Sequence, residues 1–169
     1  MNTYLKSTET VIDFVNTLDL RPYKEELETP VQLAAWLAAH GLPVARARQA
    51  DLDRAIAVRE ALRDLIDGRP EAAPVIERAA RDARLELRIA DAQARLVPAA
   101  GGVSGALGSL VAEVATAMAD GTWDRVRLCA ADDCRWAFID TTKNGSRNWC
   151  SMRSCGNRAK VQAYRARHR

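Results

Sequence analysis

The residues whose type and spacing favour a defined chemistry in this chain are its four cysteines. They form two pairs with four intervening residues each, Cys129 with Cys134 and Cys150 with Cys155, joined by a fifteen-residue connection. Each pair can close a short loop that aims two thiolates at one point, and two such loops give the tetrahedral sulfur set that Zn²⁺ prefers. Four cysteine ligands leave no open coordination position. The spacing therefore predicts one structural zinc ion and not a catalytic metal.

Two other kinds of cysteine chemistry fit the same residues. Two disulfides would suit a secreted chain, but residues 1–6 lack the apolar core of a secretion signal. A reversible thiol switch that releases zinc on oxidation is the remaining option. Because no run of about eighteen apolar residues is present, we expect a cytoplasmic protein without a membrane span.

Charge is distributed unevenly along the chain. Residues 1–128 contain 16 Lys and Arg against 19 Asp and Glu, whereas residues 129–169 contain 9 against 3. Beyond Asp140 there are eight basic residues and no acidic one. Such a positive segment favours an acidic partner, most simply the phosphates of nucleic acid. This asymmetry indicates two functional halves, and the predicted domains are residues 1–122 and residues 123–169.

The elements that must position these residues are mainly helical. Apolar periodicity, Pro and Gly signals predict helices at residues 11–18, 30–40, 45–67, 74–82 and 105–119. Alternation over residues 85–89 and 95–97 predicts a half-buried β-hairpin. On the third helix, the pairs Arg59–Glu60 and Arg63–Asp64 are interpreted as solvated intrahelical ion pairs.

The cysteine segment adds short strands and a last helix. Strands are expected at residues 125–128 and 135–140, with Trp136 and Phe138 on one face of the second strand. A helix is expected to follow Cys155. The predicted fold class is mainly α with a small β component. It combines an N-terminal helical domain with a short β-hairpin and a C-terminal treble-clef-like four-cysteine zinc module ending in a basic helix.

The terminal helix and adjoining loops supply the candidate DNA contacts. At 100° per residue, Arg158, Gln162, Arg165 and Arg169 fall in one stripe and Lys160 and Arg167 in another. One apolar face of this helix is expected to pack on the zinc module or the N-terminal domain. Arg and Lys neutralise phosphates, while Asn and Gln can bond base edges. The candidate DNA-binding residues are Lys143, Arg147, Arg153, Asn157, Arg158, Lys160, Gln162, Arg165 and Arg167.

Three polar residues, Asp13, Asn16 and Arg21, lie in or just after the first apolar segment. They either brace the fold or line a pocket, and the usual pairing of buried polar groups favours bracing. An enzyme built on them would lack an activated nucleophile, an open metal site and a cofactor loop. We therefore do not expect catalysis.

The motif Cys155-Gly156-Asn157-Arg158 resembles the one that names the CGNR zinc finger family, and the similarity extends from Cys129 to Arg167. Residues 11–18, 31–37 and 59–62 resemble the ABATE domain, which is usually fused to that finger in bacterial proteins regarded as stress-induced transcription regulators. The resemblance implies a zinc-binding, DNA-binding transcription regulator in which the four cysteines hold the metal.

Two functions follow as hypotheses. In the leading one, the zinc finger contacts double-stranded DNA, while the N-terminal domain senses a small-molecule effector or forms a homodimer. In the alternative, the chain is a zinc-stabilised protein–protein interaction module that does not bind DNA. RNA is less favoured as a ligand, because few aromatic residues are expected at the surface for base stacking.

Overall fold

The computed structural model describes the backbone of residues 3–168 and the side chains of residues 8–168. The N-terminal residues 1–2 and Arg169, the last member of the predicted stripe on the terminal helix, lie outside the described residues. The helices are α1 (Thr3–Val15), α2 (Pro30–Ala39), α3 (Gln49–Ile66), α4 (Ala73–Asp82), α5 (Gly102–Ala119) and α6 (Asn157–Arg167). The strands are β1 (Leu18–Leu20), β2 (Tyr23–Glu25), β3 (Leu85–Ala90), β4 (Gln93–Pro98), β5 (Val126–Leu128) and β6 (Ala137–Ile139). The predicted, mainly helical fold class is confirmed.

Local capping determines where the helices begin and end. The Thr29 hydroxyl accepts a hydrogen bond from the Gln32 amide at 3.2 Å, and Pro30 occupies the first helical position of α2, where its missing N–H is not needed. Helix α3 begins at Gln49, four residues later than predicted, because the Arg48 amide donates to Asp51 Oδ2 at 2.9 Å. The Asp51 amide donates in return to the Arg48 carbonyl at 3.0 Å, and these two bonds define the first turn.

One hydrophobic core joins α1, α2, α3 and α5. Its fully buried members include Phe14, Leu33, Leu62 and Leu110. Helix α5 is the one helix in the described residues that is long and apolar enough to cross a membrane, but 56% of its apolar window is buried inside the protein. Central helices of globular domains have the same composition, and the packing of α5 against α1, α4 and β4 explains its apolar character.

The antiparallel hairpin β3–β4 is present, but it is not half-buried as predicted. Its register pairs Leu87 with Leu96 across a two-residue turn at Asp91 and Ala92, both of which have positive φ. Leu87 is 62% exposed and Ile89 is 74% exposed. The hairpin packs on α5 mainly through β4, so the outer part of its apolar face is not covered within the described residues.

The hairpin β5–β6 links the main core to the cysteine segment. Ala137 and Ile139 of β6 belong to the main core, as does Val126 of β5. Trp136 and Phe138 belong to a second, smaller cluster that surrounds the cysteines. Because successive side chains of a strand point to opposite faces, β6 forms a wall shared by both clusters, which confirms the predicted separation of its two faces.

Candidate metal centre and basic surface

The four cysteine sulfurs converge on one point. They all lie within 4.8 Å of one another. The Sγ atom of Cys150 is 3.7 Å from that of Cys134 and 3.7 Å from that of Cys155. Tetrahedral coordination with a Zn–S distance of about 2.3 Å requires sulfurs about 3.8 Å apart. The donor set and its spacing thus fit one structural zinc ion held by Cys129, Cys134, Cys150 and Cys155.

Backbone hydrogen bonds hold the cysteine loops together. The Cys129 amide donates to the Trp136 carbonyl at 2.8 Å, and the Ala130 amide donates to the Asn148 carbonyl at 2.8 Å. Cys155 lies in a π-turn, Met152–Gly156, that leads directly into α6. The last metal ligand therefore fixes the start of the basic helix.

Electrostatics in this cluster favour a bound cation. Burial raises the pKa of the Cys134 thiol to about 11, and it raises the pKa of Cys150 further. Four thiolates at this spacing require a positive charge among them, which a divalent ion supplies. Outside the ligand set, Arg158 Nη2 lies 3.6 Å from Cys155 Sγ and donates to Asp133 Oδ1 at 2.8 Å. Its guanidinium thus partly balances the negative charge of the thiolates.

Arg147 also supports the metal centre. Its Nε donates to the Trp149 carbonyl at 2.8 Å and its Nη2 to the Cys150 carbonyl, while its guanidinium carbon lies 4.7 Å from the centroid of the Phe138 ring. The Arg147 amide donates to the buried Asp140 carboxylate at 2.8 Å. Hydrogen bonds from the Thr142 side chain and backbone, together with this amide, lower the pKa of Asp140 to about 2. Sequence reasoning placed Arg147 at DNA, whereas the structure places its side chain against the cysteine loop.

Asn16 connects the N-terminal helices to the cysteine segment. Its Nδ2 donates to the Ala137 carbonyl at 2.9 Å, and its Oδ1 accepts from the Ala137 amide at 2.8 Å. Both hydrogen bonds are buried, and they satisfy the core-facing backbone groups of β6. The bracing role favoured from the sequence agrees with this position.

The other two predicted pocket residues have separate partners. Asp13 lies on the side of α1, with its Oδ2 4.0 Å from His40 Nε2, and the burial of its carboxyl raises its pKa. Arg21 is exposed and forms an ion pair with Asp133 of the cysteine segment. The structure does not bring Asp13, Asn16 and Arg21 together around one cavity.

Two arginines interpreted from sequence as solvated are buried. Arg59 and Arg63 are each 2% exposed. Arg59 Nη1 lies 2.7 Å from Glu25 Oε1 and 3.2 Å from the Thr17 hydroxyl. The predicted Arg59–Glu60 ion pair is present, with Arg59 Nε 2.8 Å from Glu60 Oε1. The interpretation as solvated was wrong because these side chains lie on the apolar stripe of α3, four and eight residues after the buried Ala55. That helical spacing is the signal that could have identified them.

Arg63 joins three parts of the chain. Its Nη2 donates to the Val15 carbonyl at 2.6 Å, and its Nη1 donates to the Arg135 carbonyl at 3.1 Å. Its Nε contacts Glu60 at 3.2 Å, so the intrahelical partner is not the predicted Asp64. A single buried guanidinium thus binds the end of α1 to the loop between Cys134 and β6.

A concave basic face forms along α6 and the π-turn before it. Its residues, called the basic face below, are Arg153, Asn157, Arg158, Gln162 and Arg165, with Ser154 and Val161 between them. This set contains three of the four residues of the stripe predicted on α6. Lys160 and Arg167 lie elsewhere on the helix, and Lys143 lines a separate cavity beside Arg125.

Most of α6 is not packed against the described residues. Val161 is 48% exposed and Tyr164 is 58% exposed, and every described residue from Lys160 onward is exposed. The expectation that one apolar face of this helix packs on the protein is wrong beyond its first turn. The reason is that α6 starts at the surface of the zinc module and extends away from it.

Two family models match this chain. Residues 8–121 match the ABATE model, described as a putative stress-induced transcription regulator. Residues 125–168 match the CGNR zinc finger model. Both matches, in this order, confirm the resemblance seen in the sequence. Neither description is that of an enzyme. No curated protein matches the chain significantly.

Proposed function

The chain belongs to the ABATE family of putative stress-induced transcription regulators and carries a CGNR zinc finger, and we propose that it binds double-stranded DNA through the basic face. The observation that carries the proposal is the exposure of a helix whose charged residues are all basic, next to a closed metal centre. A zinc ion without an open coordination position holds structure, and its role here is to fix the orientation of α6.

The dimensions and side chains of α6 suit a DNA groove. Its eleven residues span about 16 Å, and an exposed helix of this size fits the major groove of B-DNA. Arg153 and Arg165 would neutralise phosphates, while Asn157 and Gln162 would read base edges. Lys160, Arg167 and the more distant Lys143 would contact flanking phosphates.

Two of the candidate DNA residues contact the zinc module. Arg158 is bound to Asp133 and lies beside the Cys155 sulfur, and Arg147 holds the carbonyls of Trp149 and Cys150. We assign these two arginines to positioning α6 and the cysteine loops. Their substitution would change the module itself, which makes them poor probes of DNA contact.

The N-terminal domain, residues 1–122, would control this cytoplasmic regulator by sensing an effector or by dimerising. The buried contacts of Asn16 and Arg63 with the cysteine segment support transmission between the two domains. Dimerisation is supported by the exposed apolar residues of β3 and β4, which include Leu87 and Ile89.

The test is fluorescence anisotropy of a labelled duplex pool with zinc-loaded protein, measured across salt concentrations. If Arg153, Arg165, Lys160, Arg167 and Lys143 make about five phosphate contacts, affinity should fall about 500-fold between about 50 and about 200 mM salt, because counterion release scales with contacts. Replacing Arg153 and Arg165 by Gln should lower the salt slope by about two. The matched control is Arg88→Gln, an exposed arginine on β3.

The result that opposes the proposal is equal affinity in the Arg153→Gln, Arg165→Gln protein and the control, or no retention of duplex at low salt. The second candidate, a protein-interaction module, is favoured by the exposed Val161 and Tyr164 beside the basic face. It predicts a stoichiometric protein partner whose capture resists nuclease and is lost in Tyr164→Ser.

A further inference from the structure

Helix α5 carries one charged side chain, Glu113, and that side chain faces a cleft between α5 and β4. The cleft has a volume of about 710 Å³, within the range of about 300–1,000 Å³ that is usual for small-molecule sites. Small side chains of α5 form one wall, and the apolar residues of β4 form the other. The wall residues used below are Ser109, Ala112, Glu113 and Thr116 of α5 with Ala94, Leu96 and Pro98 of β4.

One oxygen of the Glu113 carboxylate, the buried Oε2 atom, has no hydrogen-bond partner among the described residues. Burial raises the pKa of this carboxyl to about 7. Arg95 also lines the cleft, but its Nη2 donates to Gln93 Oε1 at 2.7 Å. A buried acceptor without a donor is destabilising, and a ligand that supplies a donor would remove that cost.

We propose that this cleft binds an organic amine, with the ammonium group pairing with the Glu113 carboxylate and the apolar part lying against Leu96 and Ala94. The carboxylate selects a cation and disfavours an organic anion. The apolar wall requires a hydrocarbon part, since Leu96 is 36% exposed in the protein alone. A bare metal ion would leave that wall uncovered and would find only one carboxylate.

The position of the cleft connects it to the zinc module. Helix α5 ends at Ala119, and a short 3₁₀ turn leads from it into β5, the strand that precedes Cys129. For its regulatory consequence this inference rests on the proposed function, in which the N-terminal domain senses an effector. Amine binding itself does not depend on DNA.

The test is isothermal titration calorimetry of the zinc-loaded full chain, without DNA, using octylamine, 1-octanol and octanoate as probes of equal length. Octylamine should bind at least about tenfold more tightly than octanol, because a charged donor pairs with a buried carboxylate. Octanoate should bind most weakly. Glu113→Gln should reduce octylamine affinity about tenfold or more and leave octanol affinity unchanged. Glu77→Gln, an exposed carboxylate on α4, is the matched control and should change neither affinity.

Three results would overturn the inference: no heat with octylamine, equal affinities for octylamine and octanol, or unchanged octylamine affinity in Glu113→Gln. Circular dichroism of the variant confirms that it is folded, and removing a buried charge should not lower its stability. Since the titration contains no DNA, a negative DNA-binding result leaves this measurement interpretable.

Discussion

Replacing Asn16 by Asp tests whether this residue braces the two parts of the protein. The substitution keeps the shape and the acceptor that binds the Ala137 amide, but it replaces the Nδ2 donor by an oxygen. In the native protein that donor lies 2.9 Å from the Ala137 carbonyl. In the variant a carboxylate oxygen therefore faces the Ala137 carbonyl oxygen, at a position that is only 8% exposed.

The expected loss combines two costs. Removing the hydrogen bond leaves a buried carbonyl without a donor, which costs about 1–3 kcal/mol, and burying an unpaired carboxylate adds a further cost of similar size. We expect the free energy of unfolding to fall by about 3–4 kcal/mol near neutral pH. That is a large share of the about 5–15 kcal/mol typical of a domain.

The loss should depend on pH with a defined sign. Burial and the facing carbonyl raise the folded-state pKa of an aspartate at position 16 above its unfolded value. The penalty is therefore present at neutral pH, and it disappears as pH falls below the unfolded pKa of about 4, where the protonated carboxyl can donate to the Ala137 carbonyl.

Urea denaturation of the zinc-loaded protein, followed by tryptophan fluorescence, measures this difference. Asp13→Asn is the matched control, because Asp13 lies three residues before Asn16, in the last turn of α1, and its side chain is 60% exposed. Equal stabilities of Asn16→Asp and the native protein at neutral pH would refute the bracing role. They would favour the alternative that Asn16 serves a ligand.

Three further perturbations test the buried charges and the metal. Arg63→Met should lower the free energy of unfolding by about 3 kcal/mol, because the Val15 and Arg135 carbonyls lose their donor. As a control, Arg69→Met at an exposed arginine should change the free energy of unfolding by less than about 0.5 kcal/mol. Glu113→Gln should raise the free energy of unfolding by about 1–2 kcal/mol at about pH 8, after allowance for solvent screening. Below about pH 4.5 the substitution should change it by almost nothing. The variant is the more stable protein at high pH because the folded-state pKa of Glu113, about 7, lies above the unfolded value, so its ionisation destabilises the native protein as pH rises. A stability difference that does not change with pH in urea denaturation would contradict this reasoning. Cys150→Ser should lower the amount of bound zinc, measured by a chromogenic chelator. It should also increase amide hydrogen exchange in the cysteine loops, while α1–α5 stay protected from exchange. Loss of protection throughout the chain would contradict the two-domain division.

The zinc ligands and the capped helices could be predicted because their signals are local. Two cysteine pairs at fixed spacing specify a coordination geometry, and Thr29 with Pro30 specifies the start of α2 wherever that helix packs. The candidate pocket and most DNA contacts could not be assigned in this way. Asn16 and Ala137 are 121 residues apart, so no local pattern relates them.

Burial was the property that sequence periodicity described least well. Alternation in β3 correctly identifies the apolar face of the hairpin, but it cannot say whether another element covers that face. The reverse error occurred for Arg63, whose charge suggested solvent although its carbonyl partners lie 48 and 72 residues away. For a charged residue on an apolar helical stripe, the position on the helix predicts burial better than the charge does.

The shared strand β6 determines how far loss of zinc should spread. Ala137 and Ile139 pack in the main core, and Phe138 packs against the cysteines. Removing the metal takes away the support of the second cluster only, since the main-core contacts of β6 and its bonds to Asn16 remain. The metal-dependent part should therefore begin at Cys129 and exclude β6. Conversely, a shift of the N-terminal core that moves Ala137 must also move Phe138, and with it the base from which α6 extends. Helix α5 packs against α1, and α1 contacts β6, so under the proposed function a ligand on α5 would act on the basic face through α1.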